Sequence, residues 1–222
     1  MNEVIEFLYN DLACTGKGSE HRQTRRLLGV GVSLGASVLG LYAARSGDKN
    51  RLDAAVSINC HFDTKVSSEF LATKFYGFYD YALGYFIKDR MVKTCAIYDK
   101  MCEKKFPERI IGDQITKPFV SVSRDIINIA IQTGGWDCRE KYNEYSGLTG
   151  KLHQIQKPFF FLSSTDDQFF GPGVIPYDEI QEHIFLGVSR RGGHVGYIEG
   201  GILPSGQWHT RPTMEFLKFF SK

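Results

Sequence analysis

Residues 27–44 read LLGVGVSLGASVLGLYAA and carry no charge between Arg26 and Arg45. The stretch reaches the lower limit of length for a membrane span, but four glycines and two serines dilute its apolar character. Residues 27–32 instead match a short strand that is apolar on both faces, and residues 34–45 have apolar side chains at helical spacing. The stretch therefore predicts a strand, a turn and a helix.

The turn carries the pattern G-x-S-x-G at residues 31–35. In a nucleophile elbow, the serine between a strand and a helix takes a strained backbone conformation that exposes its hydroxyl above the sheet, and the glycines let the two elements approach. Ser33 is therefore the predicted nucleophile, and the backbone N–H of Leu34 is predicted to face a developing oxyanion. The alternative is a glycine-rich junction without chemistry, but the strand–turn–helix context favours the elbow.

Strands and helices alternate along much of the chain. Residues 52–59, 157–164 and 183–189 match further buried strands, and helices are predicted at 2–14, at 176–183 and from about 210. This alternation predicts an α/β fold with a parallel sheet, helices on both faces and right-handed crossovers.

A middle segment interrupts this alternation. Residues 61–150 are rich in aromatic and charged residues, with helices predicted around 65–102 and 121–132. We therefore predict that residues 1–60 and 151–222 form the core, and that residues 61–150 are a helical cap inserted over the carboxyl edge of the sheet, where ligands of α/β proteins bind.

An acid and a base follow two later strands. Strand 157–164 leads into Asp166 and Asp167, and strand 183–189 leads into His194 after two glycines. Both side chains are then expected at the same sheet edge as Ser33, in the order serine, acid, histidine. Taken singly, the aspartates fit a helix cap or a turn, and the histidine fits an ordinary hydrogen-bonded residue.

Composition excludes several other classes of protein. The chain has 27 Lys plus Arg against 25 Asp plus Glu, so a nucleic-acid partner is not expected. Its five cysteines include no C-x-x-C pair, which disfavours a disulfide framework or zinc site and favours a reducing, intracellular compartment. No signal peptide, dinucleotide fingerprint, phosphate-binding loop or metal-ligand spacing is present in the sequence, so we predict no cofactor and no metal.

The middle segment holds candidates for a substrate pocket. A continuous helix over residues 70–86 would place Phe75 and Tyr79 on one aromatic face together with Ala82 and Phe86. Such a face suits the acyl chain of a substrate, but simple packing of the cap on the sheet would use it too and is the favoured interpretation. His61, just after a strand end, is a further candidate for the pocket, with a structural hydrogen bond as the alternative.

The motifs resemble a known family. GVSLGAS at 31–37, the aspartates at 166–167 and GGHVGY at 192–197 are similar to AB hydrolase family four, a branch of the α/β-hydrolases that includes embryogenesis-associated hydrolases and abhydrolase-domain lipases. The resemblance extends over most of residues 2–220. It implies Ser33 as nucleophile, His194 as base and Asp167 rather than Asp166 as acid, because Asp167-Gln168-Phe169 fits the family's turn better. It also implies hydrolysis of lipid acyl esters such as monoacylglycerols or phospholipids, with contact to a membrane surface.

The chain departs from that family before the elbow. Family members carry about half a sheet there, and a His-Gly loop in that half supplies a second oxyanion donor. They also carry an N-terminal membrane anchor. No His-Gly loop precedes Ser33 in this sequence. Strand 27–32 is therefore expected to be an exposed edge that a partner could cover. An α/β-hydrolase-like binding module without catalysis is the alternative function. The same triad could also cleave peptides or thioesters, since a fold does not fix a substrate.

Overall fold

The computed structural model describes residues 1–14, 26–93, 117–201 and 203–222. The chain divides into two compact units. The sheet unit comprises Met1–Phe62, Gly147–Asp167 and Pro172–Lys222, and the helical unit comprises Asp63–Ser146 and Gln168–Gly171. That residues 61–150 act as a cap stays a prediction.

Within the described residues, the sheet unit contains a parallel sheet of four strands in the order β1-β2-β3-β4. The strands are β1 (Leu28–Val32), β2 (Ala54–Ile58), β3 (Phe159–Ser164) and β4 (Ile184–Ser189). A short antiparallel hairpin follows, with β5 (Ile198–Gly200) and β6 (Pro204–Gln207). The predicted α/β fold with a parallel sheet is confirmed.

Seven α-helices fall in the described ranges. They are α1 (Asn2–Cys14), α2 (Leu34–Ser46), α3 (Thr64–Thr73), α4 (Phe78–Lys93), α5 (Ile127–Gly134), α6 (Arg139–Ser146) and α7 (Thr210–Phe220). None of these helices is long and apolar enough to cross a membrane.

The two central strands carry the core. Every residue of β2 is buried, and β3 is buried at all but one position, because aliphatic and aromatic side chains occupy both of their faces. Phe159 and Phe161 stack with ring centroids 4.4 Å apart, and a second cluster on the sheet joins Val56, Leu162 and Leu217. This core fixes the carboxyl ends of β2 and β3, which the candidate site uses.

Strand β1 lies at the edge of the sheet, with β2 as its only neighbour among the described strands. Val30 and Val32 are 53 % and 39 % exposed, although both are apolar. Among the described residues, β1 is therefore an edge strand with partly exposed apolar side chains, as predicted.

Two predicted helices differ in the structure. Residues 176–183 form only a single 3-10 turn at Tyr177–Glu179, because the backbone is non-helical on both sides of it, at Pro176 (ψ 69°) and at Ile180 (ψ 130°). The continuous helix over 70–86 is also wrong. A 3-10 segment with left-handed backbone at residues 75–77 separates α3 from α4.

The helical prediction elsewhere in the helical unit is met in part. The helix expected at 121–132 begins as a π-helical turn at Val122–Ile126 and continues as α5, whereas α6 was not predicted because its sequence is polar and lacks an apolar period. The predicted helical residues 94–102 lie outside the described ranges.

A buried carboxylate organises that π-helical turn. The Asp125 side chain is 4 % exposed. Its carboxylate accepts hydrogen bonds from the Ser121 amide at 3.0 Å, from Arg124 Nη2 at 3.0 Å and from Lys117 Nζ at 3.4 Å. Burial by itself raises the pKa of Asp125, but the hydrogen bonds from Arg124 and the Ser121 amide, with the charges of Arg124 and Lys117, lower it to about 2. The folded helical unit thus favours the ionised form.

We expect Asp125→Asn to destabilise the protein in a pH-dependent way. The folded-state pKa lies below the unfolded value of about 4, so the stabilisation is complete above that pH and is lost as the pH falls through the folded value. Solvent screens part of it, because Arg124 and Lys117 are 61 % and 50 % exposed. The loss in free energy of unfolding should be about 1–2 kcal/mol at pH 6, shrinking towards pH 3.

Urea unfolding followed by circular dichroism at pH 6, 4 and 3 checks this expectation. Asp137→Asn is the matched control, because its ion pair with Lys141 is on the surface and should leave the unfolding midpoint unchanged. A difference between Asp125→Asn and wild type that stays constant over this pH range would contradict the account.

Candidate active site

Ser33 occupies a sharp turn between β1 and α2. Its backbone angles, φ 55° and ψ −121°, lie in a region that L-residues rarely adopt. Hydrogen bonds hold this conformation: the Ser33 amide donates to the Ile58 carbonyl at 2.9 Å, and the Ala36 amide donates to the Ser33 carbonyl at 3.0 Å. The turn therefore has the strained backbone that a nucleophile elbow requires.

The two glycines of the motif differ in what they permit. A Cβ atom at Gly31 would lie 2.5 Å from the Gly35 carbonyl oxygen and 2.8 Å from the Ala36 Cα, so the strand and helix approach too closely for a side chain. A Cβ atom at Gly35 would meet nothing within 4 Å. The expectation that both glycines allow the close approach is therefore wrong for Gly35.

Three predicted site residues converge at the carboxyl edge of the sheet. Ser33 Oγ lies 2.7 Å from His194 Nε2, and His194 Nδ1 lies 2.9 Å from Asp167 Oδ2. The Asp167 and His194 side chains are 4 % and 13 % exposed. With Nδ1–H donating to the carboxylate, Nε2 is left as an acceptor for the serine hydroxyl.

The two tandem aspartates have separate positions. Asp167 is buried beside His194, whereas Asp166 is exposed and its Oδ1 accepts the amides of Gly192 and Gly193 at 2.9 and 2.8 Å. Asp166 thus shapes the loop that precedes His194, and Asp167 contacts the imidazole. The choice of Asp167 over Asp166 agrees with this geometry.

Leu34 is the first residue of α2. The first amides of a helix have no acceptor within the helix, and together they carry its partial positive charge. The Leu34 amide is therefore suited to bind an anion beside Ser33. Its role as an oxyanion donor stays a prediction.

The candidate pocket residues belong to different units. His61 follows β2 in the sheet unit, and its Nδ1 lies 2.5 Å from Ser37 Oγ. Phe75 and Tyr79 belong to the helical unit, where their ring centroids are 5.6 Å apart and Phe75 is 56 % exposed. The left-handed break places Phe75 before α4 rather than on the same helix as Tyr79. Their role in a substrate pocket stays a prediction.

Two polar residues at the site were not predicted. Asn59 follows β2, and its Nδ2 lies 2.7 Å from Asp167 Oδ2. Ser164 ends β3, and its hydroxyl donates to the Gly193 carbonyl at 2.7 Å. Asn59 directly follows a buried strand, like the predicted aspartates and histidine, so the same positional signal could have identified it.

Two ionisable side chains near the site, Cys60 and Tyr197, stay neutral at neutral pH. Burial raises the pKa of the Cys60 thiol to about 12, despite a hydrogen bond with Ser37 that lowers it. Burial also raises the pKa of the Tyr197 phenol well above its ordinary value. Because the thiolate is the reactive form of cysteine, Cys60 does not compete as a nucleophile at neutral pH.

No protein-family model matches the chain. Curated relatives include a monoacylglycerol lipase of Saccharomyces cerevisiae, 28 % identical over 97 % of this chain and 46 % of its own length. The putative esterase YheT of Escherichia coli is 28 % identical over 81 % of this chain and 51 % of its own, and mouse phospholipase ABHD3 is 27 % identical over 78 % and 41 %. The chain therefore spans about half the length of the curated relatives it matches.

Solved structures share the fold. An acylaminoacyl peptidase of Pyrococcus horikoshii superposes with a TM-score of 0.54 at 11 % identity, covering 99 % of this chain and 27 % of that one. An esterase of Pyrococcus furiosus superposes with a TM-score of 0.50 at 15 % identity, covering 98 % of this chain and 62 % of that one.

The chain is homologous to members of the α/β-hydrolase superfamily over about half of their length and shares their fold. Its homologues are esterases and lipases of the group that includes ABHD3, EMB8 and YheT, as the resemblance of its motifs predicted.

Proposed function

We propose that this chain is a serine hydrolase of carboxylic esters. The observation that carries the proposal is the continuous hydrogen-bonded array from Ser33 Oγ through the His194 imidazole to Asp167 Oδ2, with steps of 2.7 and 2.9 Å. A hydroxyl, an imidazole and a buried carboxylate in this order form a general-base-activated nucleophile.

The first half of the proposed reaction forms an acyl-enzyme. His194 Nε2 takes the proton of Ser33 as its Oγ attacks the carbonyl carbon of the ester, and the Leu34 amide donates to the oxyanion that develops. Asp167 holds the imidazole in position and stabilises its protonated form. Collapse of the tetrahedral intermediate breaks the bond to the alcohol, which takes the proton from Nε2.

The second half repeats these roles with water. His194 removes a proton from water as it attacks the acyl-serine, and the protonated imidazole returns that proton to Ser33 as the carboxylic acid leaves. Neither half needs a metal or a cofactor to balance its atoms and charges.

We propose a lipid acyl ester as the substrate, of the monoacylglycerol or phospholipid kind, with contact to the lipid surface that presents it. The support is that relatives of this chain include a monoacylglycerol lipase and a phospholipase. Hydrolysis rates for p-nitrophenyl esters of increasing acyl length, and for monoacylglycerols against lysophospholipids, would define the chain length and head group.

A fluorophosphonate probe tests the proposed nucleophile, because it reacts with activated serine hydroxyls. We expect the wild type to be labelled and Ser33→Ala to take up no label. Ser46→Ala is the matched control, since it replaces a serine at the other end of the same helix α2 and should label as wild type does. Equal labelling of wild type and Ser33→Ala, or a folded wild type that takes up no probe, would refute the proposal.

The exposed edge strand favours a second candidate, a binding module without catalysis. Strand β1 has a free edge among the described residues, with apolar and partly exposed valines and no charged residue to prevent pairing. A partner that adds a strand to β1 fits this edge. Hydrolysis of a short-chain p-nitrophenyl ester that is lost in His194→Ala would eliminate this candidate.

A further inference from the structure

Asn59 has an unusual position at the end of β2. It is 2 % exposed, and its backbone has a φ of 50°, in the left-handed region that asparagine tolerates better than most residues. The backbone N–H of Asn59 donates to the Leu162 carbonyl at 2.8 Å, which fixes the Asn59 backbone against β3. Asn59 is thus held rigidly at the sheet edge that carries Asp167.

The Asn59 side chain touches both loops of the proposed triad. Nδ2 lies 2.7 Å from Asp167 Oδ2, 3.2 Å from the Gly193 carbonyl and 3.4 Å from Ser164 Oγ. Gly193 directly precedes His194, so one amide group links the acid to the loop of the base. The Oδ2 atom that accepts from Asn59 is also the one that His194 Nδ1 contacts.

The surroundings determine which end of the amide faces the triad. Turning the amide over would set its oxygen against the Asp167 carboxylate and the Gly193 carbonyl, both of which are acceptors. The amide therefore faces the triad with its donors, and each of its three neighbours there accepts a hydrogen bond.

We propose that Asn59 is a positioning residue of the Ser33–His194–Asp167 array. This inference rests on the proposed function. By donating to Oδ2, the amide fixes the carboxylate so that one oxygen serves both Asn59 and the imidazole. By donating to the Gly193 carbonyl, it also restrains the loop that places His194 near Ser33.

Asn59→Asp tests the inference with almost no change in shape, and aspartate also tolerates a left-handed backbone. It replaces a donor with a second carboxyl group beside Asp167. Two buried carboxyl groups 2.7 Å apart share one proton, so at low pH the new group still donates to Asp167 as the amide does. Once that proton is lost the donor is gone and the two carboxylates repel, so the ratio of variant to wild-type kcat/KM should fall about tenfold or more as the pH rises.

Asn59→Gly gives a second measurement, because glycine accepts the backbone conformation and removes the amide. We expect kcat to fall about 10²-fold with little change in KM, as for a misplaced reacting group. Asn50→Asp is the matched control: Asn50 is 6 % exposed, lies before β2 at the opposite end of that strand, and uses its Oδ1 to accept from the Leu52 amide. Its pH profile should match the wild type.

The outcomes separate this inference from the proposed function. If wild type is not labelled by the fluorophosphonate probe through Ser33, both fail together. If wild type is labelled but the ratio of Asn59→Asp to wild-type kcat/KM stays constant with pH, or Asn59→Gly keeps the wild-type kcat, only the positioning role is overturned. A purely structural role would lower the amount of folded enzyme and leave kcat per folded molecule unchanged.

Discussion

Replacing His194 by alanine is expected to lower kcat for a short-chain p-nitrophenyl ester by about 10⁶-fold, because the serine hydroxyl then has no base. His194 Nε2 is 2.7 Å from Ser33 Oγ, so the proton transfer needs no rearrangement. Ser33→Ala should have the same effect, and the double variant should be no worse than either single one, since the two residues act as a unit.

The two aspartates provide an internal comparison for this measurement. Asp167→Asn should lower kcat by about 10⁴-fold, because an amide neither fixes the productive tautomer nor stabilises the imidazolium. Asp166→Asn keeps an oxygen that can accept the Gly192 and Gly193 amides, so it should retain kcat within about tenfold. A greater loss in Asp166→Asn than in Asp167→Asn would show that the acid is assigned to the wrong residue.

Gly31→Ala is expected to have the largest effect on the elbow. Its Cβ would meet the Gly35 carbonyl oxygen at 2.5 Å, and backbone atoms of α2 cannot rotate away as a side chain can. The helix must shift, with a loss of about 1–3 kcal/mol in free energy of unfolding. Ser33 moves with the helix, so the remaining folded enzyme should lose at least about 10²-fold in kcat.

Gly35→Ala is the control for this prediction, because it adds the same methyl group four residues away, where nothing lies within 4 Å. Alanine also favours a helix more than glycine does. Thermal unfolding and ester hydrolysis of the two variants can be compared directly. A Gly31→Ala protein with the melting temperature and kcat of wild type would show that strand and helix do not need this close approach.

Much of the site could be predicted from order along the chain. Ser33, Asp167 and His194 each follow a strand, and parallel pairing brings the carboxyl ends of strands to one edge. That rule does not depend on the length of what lies between the strands. It therefore locates residues 161 positions apart, such as Ser33 and His194, near each other.

Other features depend on tertiary contacts that the sequence does not reveal. Phe75 and Tyr76 adopt left-handed backbone without being glycine or asparagine, so Gly77 is the one residue of the break between α3 and α4 that marks it in the sequence. The apolar spacing of residues 70–86 fits one helix, but the chain breaks it at residues 75–77. Asn59 follows a buried strand and so shares the positional signal of the triad, but its role depends on the loops it contacts, which the sequence does not reveal.

Because Cys60 is buried, reagents that react with cysteine and reagents that react with serine should behave differently towards this protein. Alkylating agents attack thiolates, and this thiol holds its proton at neutral pH within the core beside Ser37. Of the two cysteines whose side chains are described, Cys138 is the more accessible. The rate of maleimide labelling at Cys60 would therefore report how often the protein opens transiently around this residue. A reagent directed at serine needs no such opening.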